Sequence, residues 1–423
     1  MRVLYDISTL GLAHFYKQSR GGGFRVDLNI AEALAASGEC ELLFCANHSS
    51  VAYHGCTAFL AEHQALRHVP MVAPHRRPAS SAVRAAASTV HRYVRRLSGS
   101  NVLPSAVRQG AGFLDKRLHP PVADADSGVD IFHSPSVPLP DRPARRSPQR
   151  FLTIFDLAYL RFPTIYGAAY QLANIAALRS VCPEDSIITS SAFVRDELCE
   201  KGVTSADRIH VVPLAADPAL FYQCRDSEAI AAVRRKYGIP DGPYVLSVNS
   251  PDLRKNVPHA IHAFGRVAHE GRDLLTSLVL AGVPGPGSDR IHKTIAAYPE
   301  LRDRIILTGF VPDEDLAPLY TGAKVFVYPS IYEGFGLPPL EAMQCGTPAI
   351  TSNASSLPEV VGDGGVMVSP NDVDALAGAM IDLARDGALR ERVQQRALAQ
   401  ARRFTWACST DATLRAYRSA LEM

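Results

Sequence analysis

Residues 328–350 read YPSIYEGFGLPPLEAMQCGTPAI. The apolar run KVFVYPS breaks into Glu-Gly-Phe-Gly, then two prolines, then a second glutamate eight positions after the first, Glu333 to Glu341. KVFVYPS has the β-branched, aromatic character of a buried strand. Pro338 and Pro339 suit the first turn of a helix, Gly346 suits its end, and PAITS starts a further strand. The loop between strand and helix therefore lies where a helix N-terminus exposes free N–H groups, and its glycines let a phosphate approach the backbone. Two carboxylates would repel phosphate, so they need another partner, and vicinal sugar hydroxyls are the natural one. Glu341 alone, on the first helical turn, is equally well explained as a charge that favours the helix dipole.

The same strand–helix alternation runs outward in both directions. VLYDI, DLNIAEALAASG and ELLFCA open the chain; YVLSV, a helix from Pro258, SLVLAG and RIILTGF lead into the 328–350 block. Strands that read as continuous apolar runs between helices predict parallel sheets in α/β layers. At 423 residues the chain exceeds one ordinary core. A Pro-rich, non-periodic stretch, VVPLAADPALF (211–221), precedes a fresh strand in YGIPDGPYVLSV (237–248), which puts a domain boundary near 215–240. The first strand is expected at Val3–Ile7.

Composition narrows the partners. With 44 Lys+Arg against 42 Asp+Glu the formal charge is only +2, so no global field marks a nucleic-acid binder. No apolar stretch reaches the ~20 residues that span a bilayer, and MRVLYDISTL lacks the form of a signal peptide. The eight cysteines contain no Cys-x-x-Cys pair, which fits reduced thiols and a cytoplasmic location. One segment breaks the rhythm: from 72 to 120 nine Lys/Arg face one acidic residue, Asp115. Its Ser80–Leu97 portion could form a helix. The segment is read either as a solvated insertion or as a basic surface for anionic lipid or a phosphorylated acceptor, with nucleic acid a distant third.

The block at 328–350 resembles the Glu-x7-Glu signature of retaining, nucleotide-sugar-dependent glycosyltransferases of family 4. SPDLRKNVPHAIHAF (250–264), LTGFVPDEDLAPLYTGAKVFVYPS and SNASSLPEVVGDGGVMVSPNDVDALAGAM are similar to segments of the same family in order and spacing. So, less specifically, are DIFHSPSVPLP, FLTIFDLAYLRFP and SIITSSAFVRDELCEKGV; only about 60–125 falls outside the resemblance. It implies the GT-B architecture: two Rossmann-like domains facing across a cleft, 1–220 for the acceptor (with the basic insertion about 72–120) and 221–405 for the donor. Residues 406–423 would then form a helix crossing back to the first domain, with Trp406 as a packing anchor.

The resemblance also implies roles. Lys255 and Arg254 would neutralise the donor diphosphate, and the backbone of Gly334, Phe335, Gly336 and Leu337 would hold the diphosphate and the hexose. Glu333 would contact hydroxyls of the transferred sugar and Glu341 those of the ribose, with Gly309, Phe310 and Val311 along the base. Gly22 and Gly23 would form the glycine turn after the first strand, with Arg25 facing inward. Catalysis would rest on Glu333, Lys255 and Arg254. Two positions depart from the family. Asn249 and Ser250, counted with the donor site, stand where Gly followed by Arg or Thr is usual, so Arg254 is expected to replace the missing arginine. Phe155 stands where histidine commonly precedes Asp156, which leaves His133 and Asp156 as acceptor-side candidates.

Front-face transfer with retention is implied, with the leaving phosphate helping to deprotonate the acceptor hydroxyl; no cofactor and no metal are expected. The expected partners are a nucleotide-diphosphate sugar, GDP-mannose first, and a glycan or lipid-linked acceptor in polysaccharide or lipopolysaccharide assembly. A peripheral contact with the inner membrane face through the basic insertion is also expected, and no nucleic acid. Three alternatives stay open: a nucleotide-sugar epimerase, an inactive scaffold subunit and a docking protein driven by the insertion.

Overall fold

The computed structural model describes residues 1–16, 22–46, 50–72, 128–135, 137–140, 148–249, 252–270, 274–285 and 287–423. The basic stretch 73–127, and with it the helix expected over Ser80–Leu97, lies outside the described residues, as does Ser250.

Among the described residues there are two six-stranded sheets, parallel throughout. The first is built from β1 (Arg2–Asp6), β2 (Glu41–Cys45), β3 (Ile131–Ser134), β4 (Gln149–Thr153), β5 (Ser186–Thr189) and β6 (Ile209–Val211), in the order β2-β1-β3-β4-β5-β6. The second contains β7 (Tyr244–Val248), β8 (Ser277–Ala281), β9 (Ile305–Gly309), β10 (Val325–Tyr328), β11 (Ala349–Ser352) and β12 (Gly365–Val368), in the order β12-β11-β10-β7-β8-β9. The central strands are buried along their length, as both faces are covered by helices. In such sheets ligands sit beyond the carboxyl ends of the strands. Those of β7 and β10 are adjacent, through Val325↔Val245 and Phe326↔Leu246, and they bring the 249–256 and 328–337 segments together.

The helix Trp406–Glu422 packs on the first half of the chain, against the helix Gly22–Ser37. Tyr417 is fully buried there and its hydroxyl lies 2.6 Å from His133 Nδ1. Thr405 caps the helix by accepting from Cys408 N, and Ser409 Oγ donates to the Pro213 carbonyl. Trp406 is half-buried against the larger core. Among the described residues no helix is long and apolar enough to cross a membrane.

Three local expectations change. The first strand is Arg2–Asp6, one residue earlier than read from the apolar run. A helix, Ser8–Tyr16, intervenes between that strand and Gly22-Gly23, so these glycines begin the helix Gly22–Ser37 and do not make the turn after β1. Glu341 lies beyond the first turn of the helix Leu337–Gln344, because the helix starts at Leu337 with Pro338 and Pro339 directly after it.

Candidate active site

β10 ends at Tyr328, and the chain turns through Pro329 and Ser330 into the Glu-Gly-Phe-Gly loop. Gly336, at φ +114°, closes the loop in a conformation that a side chain would strain, and the helix Leu337–Gln344 follows. Opposite, Asp252 caps a short 3-10 turn, Leu253–Lys255, by accepting from Arg254 N at 3.0 Å and from Arg254 Nε at 2.8 Å. Asn256 leaves that turn in the left-handed region (φ 56°) and donates to Pro370 O. This geometry directs both cations at Glu333.

Lys255 Nζ donates to Glu333 Oε1 at 2.7 Å and to Tyr328 Oη at 2.6 Å, while Arg254 Nη1 donates to Glu333 Oε2 at 3.1 Å. The Ser330 hydroxyl lies 2.7 Å from Glu333 Oε1, Glu333 N donates to Ser355 Oγ, and Ser356 Oγ donates to Glu333 O. Lys255 and Glu333 are both buried. Burial works to raise the Glu333 carboxyl, but Lys255 and then Arg254 outweigh it and hold the group below the usual carboxylate value. Burial pushes the Lys255 ammonium down, opposed by Glu333. The cluster is thus a pair of dehydrated cations held by one carboxylate. An anion entering beside them would meet positive charge in a medium of low dielectric, where it counts for more than in water.

The first half of the chain closes over this cluster. A Cβ added at Gly334 would stand 2.0 Å from the Phe155 carbonyl oxygen and 2.7 Å from Asp156 Cβ, so only glycine permits the approach. Ser190 Oγ and Ser191 Oγ donate to Gly334 O at 2.9 and 2.7 Å. Tyr332 Oη donates to Glu197 at 2.7 Å and accepts from Leu157 N at 3.0 Å. Glu359 accepts from Ala192 N and Phe193 N, both at 2.8 Å, and so caps the helix Ala192–Glu200 from the other half. Asp156 comes to the same centre: burial raises its carboxyl, opposed first by Arg254.

The remaining predicted residues fall in three groups. Glu341 is half-buried, accepts from Tyr320 Oη at 2.8 Å, and has its carboxyl raised by burial, with Arg25 among the charges acting on it. Arg25 pairs with Asp313 across the cleft, and a Cβ at Gly22 would lie 3.8 Å from Leu337 Cδ1, so this helix start does face the loop; Gly23 beside it is exposed. Gly309 (φ +69°), the exposed Phe310 and the buried Val311 follow β9. Beside them a cavity of about 350 Å³ is lined by Asn249, Leu280, Gly282, Leu307 and Gly309, among others. There Ser247 donates its single hydroxyl proton to Val327 O at 2.8 Å, so Asn249 must donate to Ser247 through Nδ2, at 2.6 Å. That orientation leaves Asn249 Oδ1 buried without a hydrogen-bond partner among the described residues.

His133 stands apart. It is 1% exposed, Nδ1 meets Tyr417 Oη and Nε2 meets Thr153 Oγ1 at 2.7 Å. Burial pushes its pKa down to about 3. With both ring nitrogens occupied inside the core, it is a structural residue and not an acceptor-side group. Sequence reasoning missed Asp252, Tyr328, Ser330, Tyr332, Ser355 and the Ser190-Ser191 pair. Each lies inside or next to a segment that carries the family resemblance, but none differs in type from an ordinary turn or core residue. Among the described residues, no group of three or more His, Cys, Asp or Glu could hold a metal ion.

A family model described as "Glycosyl transferases group 1" matches residues 230–400. The chain is 35% identical over 289 residues to the O-antigen chain mannosyltransferase B of Escherichia coli, covering 68% of this chain and 74% of that protein. It is 34% identical over 223 residues to a serotype-specific mannosyltransferase, WbdA, of Escherichia coli; that match covers 53% of this chain but only 27% of the longer relative. Among solved structures, sucrose-phosphate synthase from Thermosynechococcus elongatus superposes with a TM-score of 0.65 at 20% identity, covering 99% of this chain and 98% of that one. WaaG, a glycosyltransferase involved in lipopolysaccharide biosynthesis, gives 0.61 at 15% identity, covering 97% and 99%. These likenesses establish the GT-B fold.

Proposed function

Starting from the fact that this chain belongs to the glycosyl transferases group 1 family, we propose that it moves a hexose, mannose first, from a nucleoside-diphosphate sugar to a hydroxyl of a glycan or lipid-linked glycan. The process served is assembly of a bacterial polysaccharide, in keeping with the O-antigen mannosyltransferase that is 35% identical over 289 residues. The observation that carries the reading is the buried Arg254–Glu333–Lys255 cluster at the cleft.

In this reading the donor diphosphate lies against Lys255 and Arg254, and Glu333 exchanges part of its pairing for hydroxyls of the hexose. Asn249, with Ser250 beside it, belongs to the nucleotide side, as do Gly309, Phe310 and Val311, and Glu341 takes the ribose. The bond from the anomeric carbon to the phosphate oxygen breaks, the bond to the acceptor oxygen forms on the same face, and the acceptor proton passes to the departing phosphate. Retention follows from that front-face course. The leaving charge is met by two protein cations and the loop N–H groups, so the proposal needs no divalent ion. The work takes place at the cytoplasmic membrane face, with the basic stretch 72–120 as the peripheral contact.

One observation favours a second reading, a nucleotide-sugar-binding subunit without transfer: Phe155 offers no imidazole beside Asp156. The test is binding and slow hydrolysis across GDP-, UDP- and dTDP-sugars, with Glu333→Ala and Lys255→Ala alongside. One donor cleaved, with both variants inactive, supports transfer. Binding without cleavage supports the second reading, and no binding at all sinks both.

A further inference from the structure

Tyr166 and Tyr170 stack face to face at the mouth of the cleft, with ring centroids 5.0 Å apart and planes inclined by 19°. Tyr170 sits in the first turn of the helix Ala168–Arg179, and Tyr166 in the loop before it. Gln171 bolts the two together: its Nε2 donates to Tyr166 O at 2.6 Å and also to Pro163 O. Asn174 Nδ2 donates to Tyr170 O at 2.8 Å. The backbone that carries the pair is therefore held, not loose, yet Tyr170 is 53% exposed.

The placement is what gives the pair meaning. Both hydroxyls are pushed above the ordinary phenol value, by burial first. The charges that act on them next include Asp156 from their own half and Arg254 and Asp252 from the opposite half. Geometry agrees: Phe162, four residues before Tyr166, packs edge-on against Tyr332 with ring centroids 5.7 Å apart, and Tyr332 is the neighbour of Glu333, so the segment borders the charged centre from the first half of the chain. A fixed aromatic face carries partial negative charge and attracts the polarised C–H bonds of a flat ring laid on it. Pyranose rings present such a C–H face, and their hydroxyls, at the ring edge, need hydrogen-bond partners of the kind Asp156 supplies.

Resting on the transferase reading, we infer that the Tyr166–Tyr170 stack is an acceptor subsite: a platform on which a pyranose unit of the acceptor lies flat against Tyr170, with its reacting hydroxyl directed at the Asp156–Arg254 edge of the centre. Tyr170 positions the acceptor and takes no part in bond making. The acceptor terminus is accordingly a pyranose, and a bare lipid phosphate would leave the platform unused.

The test uses the full chain, with and without GDP, and methyl α-D-mannopyranoside, methyl α-D-glucopyranoside and methyl β-N-acetylglucosaminide as probes. NMR saturation is transferred from tyrosine ring protons to the C–H protons of the sugar. Tyr170→Phe keeps the ring, Tyr170→Ala removes it, and Leu172→Ala removes an exposed apolar side chain from the same helix; melting curves confirm that all three fold. The expected result is a saturable transfer to at least one pyranoside that survives Tyr170→Phe and Leu172→Ala and falls roughly tenfold in Tyr170→Ala. No transfer from the wild type, or transfer unchanged in Tyr170→Ala, overturns the subsite. Donor hydrolysis by the wild type is followed separately. If it is present while the platform fails, only this inference is lost; if it is absent while the pyranoside still depends on Tyr170, the cleft binds sugar and the transferase reading is what fails.

Discussion

Gly334 presses its backbone against the Phe155 carbonyl so closely that a single added methyl would stand 2.0 Å from that oxygen. The closed cleft therefore depends on a missing side chain. Gly334→Ala is expected to leave each sheet folded but to hold the halves apart, since Phe155 O is backbone and cannot swing away. Donor hydrolysis should fall by about 10² or more, the scale seen when a catalytic constellation is displaced by an ångström. Small-angle scattering should show a more open molecule. Unchanged scattering with full activity would mean that this contact has no bearing on turnover.

Arg254 and Lys255 share one carboxylate, at 3.1 and 2.7 Å. If Arg254 stands in for the arginine missing at Asn249-Ser250, then Arg254→Ala should weaken donor binding about as much as Lys255→Ala. Each loss is expected to be on the order of 2–4 kcal/mol, because a charge-assisted contact goes and the buried Glu333 keeps only one of its two cations. Nucleotide-sugar titration of both variants decides it. A defect confined to Lys255→Ala would reduce Arg254 to an orienting role for Glu333.

Asp156 gives a proton signature. Its carboxyl is already raised by burial, against the pull of Arg254. A donor diphosphate would add negative charge nearby and draw on Arg254, raising the group further, so donor binding should take up protons. A ligand that raises a pKa binds more tightly at lower pH within the window between the free and bound values. Donor affinity should therefore weaken as pH rises from the free to the bound value of Asp156. Calorimetry in buffers of different ionisation enthalpy measures the uptake. Asp156→Asn should abolish it, and uptake persisting in that variant would place the proton elsewhere.

Two buried groups of the first half, Asp27 on the helix Gly22–Ser37 and His133 on β3, set opposing pH slopes of stability. Asp27, 3% exposed, has its carboxyl raised to about 7 by burial, even though Thr9 donates to it at 2.6 Å. A raised carboxyl contributes stability that is full below its unfolded value of about 3.9 and is lost as pH climbs through the folded one. His133, lowered to about 3, does the reverse: its contribution is present above about 6.5 and is lost as pH falls. Between about pH 4 and 6.5 the two slopes, each about 1.4 kcal/mol per unit, should largely cancel. Asp27→Asn should unmask the histidine, so the variant loses stability on acidification faster than the wild type does. Urea midpoints at pH 4, 5, 6 and 7 check this, and parallel curves for the two proteins would refute it.

The second half of the cleft was legible because its chemistry is local. Arg254, Lys255 and Asn256 are consecutive, Glu333 to Leu337 form one loop, and Pro338, Pro339 and Gly346 punctuate the helix as their backbone preferences dictate. The first half was not legible in the same way. Ser190 and Ser191 meet Gly334 at separations of 144 and 143 residues, and no periodicity or spacing announces such a meeting. The resemblance of SRGGGFR to a glycine turn after the first strand set Gly22 directly after β1, and the intervening STLGLAHFY, a helix in the structure, carries no clear helical stripe to contradict it. His133 illustrates the limit most simply. A histidine at a strand end could be a catalyst or a core residue, and the deciding partner, Tyr417, lies 284 positions away.

That separation has a consequence for how the molecule is made. The core around β1, β3 and β4 lacks Tyr417 until residues 406–422 have emerged from the ribosome, yet His133 is synthesised 284 residues earlier. At 5–20 residues per second the wait is roughly 14 to 57 seconds. Until then the side of the first half that the final helix covers, with His133 Nδ1 facing it, stays open. The first domain-half is thus completed by the last segment to be made, the helix Trp406–Glu422.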